Sequence, residues 1–402
     1  MEINNEYEVK IIDCDNKGHG IAKIDNFVIF IKYAMLNEIV KIKIIDIKKN
    51  YAYGKIINII KKSPERIDLL CKNYYKCGGC KFLHTKNEYE NNLKENYIKK
   101  LFKNTKVNNI ITNNKNNYRN KIELHVVNNK LGFYEEKTNN IIDIEDCYLI
   151  DEDIKKIIKK LKTINLKTIK EIVIRKSFYN NEIMLILDNN ISKEDLNILK
   201  QDVDIIYIND VNIYGNKYLI DTIGEYYYKV YPKAFFQINN EMAKKMYDQI
   251  KLYAQKGNNL LDLYCGLGTI GIYLSDNFNK VIGIETCKDS IKGANENKTL
   301  NKVNNIEFIN KDAKNIPNIK YDVIIVDPPR KGLSKEVINK INNLKVKKLI
   351  YVSCNPNTLK RDIELLKNYK LEEITPVNMF LHTKHVECVC MLNLLNNKKE
   401  SK

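Results

Sequence analysis

Cys354, in the run "IYVSCNPNT", ends a strand-like apolar stretch and is followed at once by Asn-Pro, which sets its thiol at the mouth of the strand. A cysteine so placed can serve as a nucleophile, because a thiolate both adds to carbon and leaves it readily. Two further runs supply acids. "IIVDPPRKGL" sets Asp327 before two prolines, whose fixed φ makes a rigid strand exit. "MFLHTKHVECVCML" gathers His382, His385 and Glu387 at the start of an apolar run, and any of the three could move a proton. A carboxylate opening an apolar strand is costly to bury unless it is paired or used. For Glu387 a plain salt bridge is the competing reading.

A ligand turn precedes these residues. "DLYCGLGTIGIYL" (Asp262 to Leu274) offers Gly266 and Gly268 for a tight turn ahead of a helix. Glu285 closes the next strand, "VIGIE", where an acid can accept hydrogen bonds from ribose hydroxyls. The third glycine of the dinucleotide fingerprint lacks the right spacing. That favours S-adenosylmethionine over NAD, since the former has no pyrophosphate to cradle. Asp312, in "NKDAKNIP", stands after the third strand, either within reach of an adenine amino group or as an ordinary surface acid.

The chain has ten cysteines. Cys71, Cys77 and Cys80 form a C-x5-C-x2-C run around Gly-Gly, and Cys147 in "IEDCYLI" offers a fourth ligand. Four thiolates suit an iron–sulfur cluster or a structural zinc, and the spacing excludes neither. Cys265, Cys388 and Cys390 lie inside apolar runs and read as core. Cys14 and Cys287 carry no assignment.

These side chains need a scaffold. From about residue 258, buried strand-like runs alternate with helical patterns, which predicts a doubly wound α/β domain with a mostly parallel sheet. Ligands in such sheets bind at the carboxyl ends of the strands, where Asp327 and Cys354 fall. Residues 1 to about 60 read as short strands in a compact barrel of the OB type, a frequent RNA-binding scaffold. Between the two lies a mixed α+β region with a helix in "NEYENNLKENYIKKLF" and a hairpin turning at Asn128 and Asn129. "NNKKESK" reads as a solvated tail.

The formal charge of +17 points to a polyanionic partner, most simply nucleic acid, although lysine-rich surface filler would give the same sum. No apolar run approaches the length of about 18 residues that a bilayer span requires. No signal peptide is visible, which predicts a cytoplasmic protein with reduced cysteines.

Taken in order, "FFQIN", "DLYCGLGT", "DPPRKGL", "SCNP" and "HTKHVE" resemble the RNA uracil-5-methyltransferase family, class I enzymes dependent on S-adenosylmethionine. The cysteine set resembles its iron–sulfur branch, which acts on 23S ribosomal RNA. "YRNKIELHV" (Tyr118 to Val126) is similar to the family's central domain. The resemblance implies a TRAM domain over residues 1–58 and a central iron–sulfur and RNA-binding domain over 59–250. The methyltransferase domain would span 251–402, with a contribution from 232–250. It implies Cys354 as nucleophile and Glu387 as general base. Gln237, Tyr264, Glu285, Asp312 and Asp327 match cofactor contacts, and Phe235 a residue stacking near the target base. Cys71, Cys77, Cys80 and Cys147 match ligands of a [4Fe-4S] cluster. The expected reaction is methylation of a uridine carbon 5 in 23S rRNA by a monomer, through a covalent cysteine adduct. A tRNA substrate and a non-catalytic RNA-binding iron–sulfur protein are the alternatives. Two positions depart from the family: Leu381 replaces the usual proline, and Thr269 stands where some members have asparagine.

Overall fold

Alternating apolar and polar residues over the first sixty positions produce six strands: β1 (Glu6–Lys10), β2 (Asp13–Cys14), β3 (His19–Ile24), β4 (Phe27–Lys32), β5 (Ile39–Ile47) and β6 (Tyr51–Lys61). They pair in the order β1-β5-β6-β4-β3-β2. β1 and β2 follow one another in the chain yet stand at opposite edges, so the sheet curls into a small barrel. Ile11, Ile29, Ile31, Val40, Ile42 and Ile44 fill it and are wholly buried. Asp25 and Asn26, at φ of 49° and 65°, make the tight turn between β3 and β4.

A four-residue helix, α1 (Tyr74–Cys77), and a longer one, α2 (Asn87–Leu101), follow. Glu88 and Glu90 in the first turn of α2, with Lys99 and Lys100 in the last, complement the helix dipole. By contacts, residues 1–101 and the segment 380–385 form one unit of the computed structural model, and the rest of the chain forms another; residues 1–395 are described. The expected C-terminal tail lies outside them.

The second unit begins with β7 (Lys106–Val107), β8 (Lys121–Val127), β9 (Lys130–Tyr134), β10 (Ile141–Asp143), α3 (Glu152–Leu161), β11 (Glu171–Lys176), β12 (Ile183–Leu187), α4 (Lys193–Leu199), β13 (Ile205–Ile208) and β14 (Val211–Tyr214). All of these strands but β7 form one sheet, in the order β10-β9-β8-β11-β12-β13-β14. The hairpin expected at Asn128 and Asn129 is present: both have positive φ, and Val127 faces Lys130. α3 turns Ile154, Ile157, Ile158 and Leu161 toward the sheet, the spacing of an amphipathic helix. A separate hairpin, β15 (Leu219–Ile223) and β16 (Tyr226–Val230), leads onward.

The remaining elements are α5 (Asn240–Ala254), β17 (Gly257–Leu263), α6 (Thr269–Tyr273), β18 (Phe278–Glu285), α7 (Lys288–Leu300), β19 (Ile306–Asn310), β20 (Val323–Val326), α8 (Lys335–Leu344), β21 (Lys348–Ser353), α9 (Pro356–Leu365), β22 (Tyr369–Val377) and β23 (Glu387–Leu394). The sheet order is β19-β18-β17-β20-β21-β23-β22-β7. β17 through β21 run parallel, and β23 runs antiparallel between β21 and β22. This is the expected doubly wound domain. Strand order reverses between β17 and β20, which opens a ligand crevice at their carboxyl ends. The short β7 joins the edge beside β22; two residues are too few to show a period. Among the described residues, no helix is long and apolar enough to cross a membrane.

Candidate active site

The inserted strand brings the two expected reacting groups together. Ser353 on β21 faces Cys388 on β23, so Cys354 and Glu387, the next residue of each strand, stand at the same mouth of the sheet. Val326 on β20 faces Tyr351 on β21, which brings Asp327 to that mouth from the other side. Cys354 is half-buried and Glu387 is buried.

Electrostatics couple these groups. Burial pushes the Glu387 carboxyl up to about 8, Asp327 adds to the rise, and Arg330 opposes it. The Cys354 thiol is pushed up to about 11 by burial first, then by Glu387 and Asp327, again with Arg330 opposing. Burial alone carries Asp327 up to about 7. The resting site therefore holds a protonated thiol beside a carboxyl that gains and loses its proton near neutrality, as a proton acceptor requires.

The turn after β21 is fixed by its own polar atoms. Asn355 caps α9 by accepting from the Asn357 amide (3.2 Å), and Pro356 takes the first helical position. Asn355 Nδ2 and Thr358 Oγ1 both donate to the Arg330 carbonyl (3.2 Å each), which ties "SCNP" to "DPPR". Asp362, wholly buried on α9, accepts from the Leu333 amide and the Tyr351 hydroxyl, each at 2.7 Å. A Cβ on Gly332, at φ +78°, would lie 2.4 Å from the Asp362 carboxylate. The "DPPRKGL" loop is thus moulded onto α9.

At the ligand turn, Tyr264 takes φ +64°, a strained value for a side-chain-bearing residue. Gly266 follows at +52°, and a Cβ there would meet nothing within 4 Å, so the turn is open on that side. The Gly266 amide donates to Glu285 Oε2 (3.3 Å), while Glu285 Oε1 accepts from the Thr286 and Cys287 amides (2.7 and 2.9 Å). Asp312 is exposed and caps its own loop by accepting from Lys314 N (2.9 Å). Thr269 Oγ1 bonds Tyr247 Oη (2.8 Å), and the Gln237 side chain bonds Tyr247 as well. The departure at position 269 therefore keeps a polar link toward Gln237. Phe235 is 76% exposed.

Sequence reasoning passed over Asp262. It is wholly buried, its Oδ2 accepts from the Gly271 amide (3.0 Å), and its Oδ1 has no partner among the described residues. Burial, then Asp327, push it up to about 8, with the Gly271 amide opposing and Glu285 adding a smaller rise. The signal was an acid inside the apolar run "NLLDLYC". Asp262, Glu285 and Asp327 together make an acidic well around the open turn, and one oxygen in it is unsatisfied. That donor set fits a ligand carrying positive charge, as the sulfonium and ammonium of S-adenosylmethionine do.

His382 and His385 belong to the first unit, and Glu387 to the second. The His382 amide donates to both oxygens of buried Glu90 on α2 (2.9 and 3.0 Å), and His385 lies edge-on to Phe380. They are part of the first unit's packing. Cys265, Cys388 and Cys390 are buried, as expected of core.

Of the four expected cluster ligands, Cys71, Cys77 and Cys80 lie in the first unit and Cys147 in the second. Cys71, Cys77 and Cys80 are half-buried around α1, whose Tyr74 packs in an aromatic cluster with Tyr33, Tyr75 and His84. Cys147 packs against the core of the second unit. Among the described residues, no group of three or more His, Cys, Asp or Glu side chains is arranged to hold a metal ion. No step is derived through a cluster. A cavity of about 590 Å³, lined by Tyr226, Asp276, Phe278, Asn301 and Lys302 among others, lies at the amino end of β18, opposite the end that carries Glu285.

Comparison with known proteins accords with this geometry. A family model described as tRNA (uracil-5-)-methyltransferase matches residues 86–319 and 312–395, and a TRAM domain model matches residues 2–57. An uncharacterised RNA methyltransferase of Staphylococcus aureus is 34% identical over 96% of this chain and 97% of its own length. One from Clostridium tetani is 34% identical over 99% of this chain and 98% of its own. The crystal structure of the Pyrococcus abyssi tRNA (uracil-54, C5)-methyltransferase in complex with S-adenosyl-L-homocysteine superposes with a TM-score of 0.80. It is 25% identical and covers 96% of this chain and 99% of that one.

Proposed function

This chain belongs to the tRNA (uracil-5-)-methyltransferase family, and from that premise we propose that it methylates carbon 5 of a uridine in RNA through a covalent Cys354 adduct. The observation that carries the reading is the register of β21 and β23, which sets Cys354 beside Glu387 at one strand mouth.

S-adenosylmethionine, when bound, supplies the methyl group on a sulfonium centre. The chain supplies the rest. Carbon 5 of uracil is a poor nucleophile, so the Cys354 thiol gives up its proton to solvent and the thiolate sulfur bonds to carbon 6, which breaks the C5–C6 π bond and moves that electron pair onto carbon 5 as an enolate. After methyl transfer, Glu387 takes the carbon-5 proton. The electron pair of that C–H bond re-forms the ring double bond, and the carbon–sulfur bond breaks to release the thiolate. Serine would be a poorer nucleophile and a poorer leaving group. Asp262, Glu285 and Asp327 would hold the cofactor, with Gln237, Tyr264 and Asp312 in supporting contacts. The target base must leave its stack to react, and Phe235 offers a face to receive it.

We further propose 23S rRNA as the substrate, in the cytoplasm, by a monomer. The P. abyssi relative is a tRNA methyltransferase, and its match to 96% of this chain supports a tRNA uridine as the second reading. Mass-spectrometric mapping of 5-methyluridine in rRNA and tRNA from a deletion strain separates them: the RNA that loses the mark is the substrate, and loss from neither sinks the proposal. A [4Fe-4S] cluster on Cys71, Cys77, Cys80 and Cys147 rests on spacing and resemblance alone. Iron and sulfide analysis of anaerobically purified protein tests it, and stoichiometric zinc without iron rejects it.

A further inference from the structure

The geometry points to Arg175 as a positioning residue that holds Phe235 in place to receive the target base; this rests on the uracil-5-methyltransferase reading above. Arg175 lies at the end of β11, paired with Lys121 on β8 and Met184 on β12. It is 4% exposed. A guanidinium carries five N–H donors, and burying it is costly unless they are used.

Two of the donors go to one short turn. Arg175 Nη1 donates to the Tyr231 carbonyl (3.3 Å), and Nη2 donates to the Ala234 carbonyl (3.0 Å). These residues open and close a turn in which the Ala234 amide donates to the Tyr231 carbonyl (3.1 Å), with Pro232 second. Phe235 comes next. Phe236 then packs into the core, 4% exposed, with its ring centroid 5.7 Å from that of Tyr228. The following residue, Gln237, has its carbonyl bonded by Asn120 Nδ2 (3.3 Å).

The exposed ring is thus anchored on both sides within a few residues. A side chain that must stay open to a ligand cannot be fixed by its own packing, so its backbone has to be held. Arginine suits this task because its planar fork reaches two carbonyls at once, whereas the compact ammonium of lysine does not. Asp221, itself buried, lies near as the compensating charge and accepts from Asn240 Nδ2 (2.7 Å) at the start of α5.

The chain contains no tryptophan, so Phe235→Trp makes a single fluorescent reporter at the position in question. With Arg175 intact, the anisotropy of that tryptophan should decay mainly with overall tumbling. Adding Arg175→Met should introduce a fast, large-amplitude component, and Arg175→Lys a smaller one. In the chain without the reporter, Arg175→Met should raise the KM for RNA about ten- to a hundredfold, the worth of one base–aromatic stack. Its affinity for S-adenosylmethionine, measured by calorimetry, should stay at the wild-type value. In a Phe235→Ala background, the same substitution should change the RNA KM by less than about twofold, since positioning has nothing left to act on. An unaltered anisotropy decay, or an Arg175 effect that persists undiminished without Phe235, overturns the proposal. If Arg175→Met does not fold, Arg175→Lys carries both comparisons. Wild-type protein that transfers no methyl to uridine would overturn the functional reading instead, while the anisotropy arm still reports on the loop.

Discussion

In the proposed reaction Cys354 and Glu387 act at neighbouring ring atoms: sulfur enters at carbon 6, and a proton leaves carbon 5. Cys354→Ala should abolish methylation and leave S-adenosylmethionine binding intact, as measured by calorimetry alongside turnover. Glu387→Gln should accumulate a covalent RNA adduct visible on a denaturing gel; product release at the wild-type rate would exclude the base role. As the proposed base, Glu387 would work only when ionised, and burial has carried its value up to about 8. Decay of the adduct in single turnover should therefore be slow at low pH and rise through a limb near pH 8, well above the ordinary carboxylate range. Asp262 follows the same logic for binding. Its folded-state value lies above its unfolded one, so its contribution to stability is lost as pH rises through about 8. Asp262→Asn should lose less melting temperature than wild type between about pH 4 and about pH 8. It should also weaken S-adenosylmethionine binding about ten- to a hundredfold, the range for losing a charge-assisted hydrogen bond.

At the scale of elements, the site depends on loops moulded by buried polar residues. The best case is Asp362, which binds the chain after "DPPR" to α9 and β21 at once. Gly332→Ala would put a Cβ against that carboxylate in a left-handed conformation. The expected cost is about 1–3 kcal/mol, read as a lower melting temperature together with weaker cofactor binding. Motifs of this kind were visible in the sequence because prolines and glycines mark turns whatever the tertiary context. The partners were not visible: nothing in "KRDIELL" announces that its aspartate serves a loop 29 positions earlier in the chain. Asp262 was overlooked for a related reason. An acid within an apolar run reads as a break in pattern until burial on both faces of the strand gives it meaning.

For the molecule as a whole, the charge of +17 should make RNA binding strongly salt-dependent. The logarithm of RNA affinity should fall linearly with the logarithm of salt, while binding of S-adenosylmethionine changes far less; a flat RNA response would remove the electrostatic argument. Period-two and helical patterns, glycine and proline punctuation, and the order of strands and helices were local properties. They determined the barrel at the N-terminus, the hairpin at Asn128 and the doubly wound domain. They also singled out Cys354, Asp327 and Glu285, because strand ends in a parallel sheet are where ligands meet side chains. Tertiary structure alone decided which candidates meet. Insertion of β23 beside β21 joined Glu387 to Cys354 and left His382 on Glu90, although the histidine and the glutamate are five residues apart in sequence. Strand pairing and burial are non-local, so residue type and spacing propose a site, and only the sheet's register chooses its members.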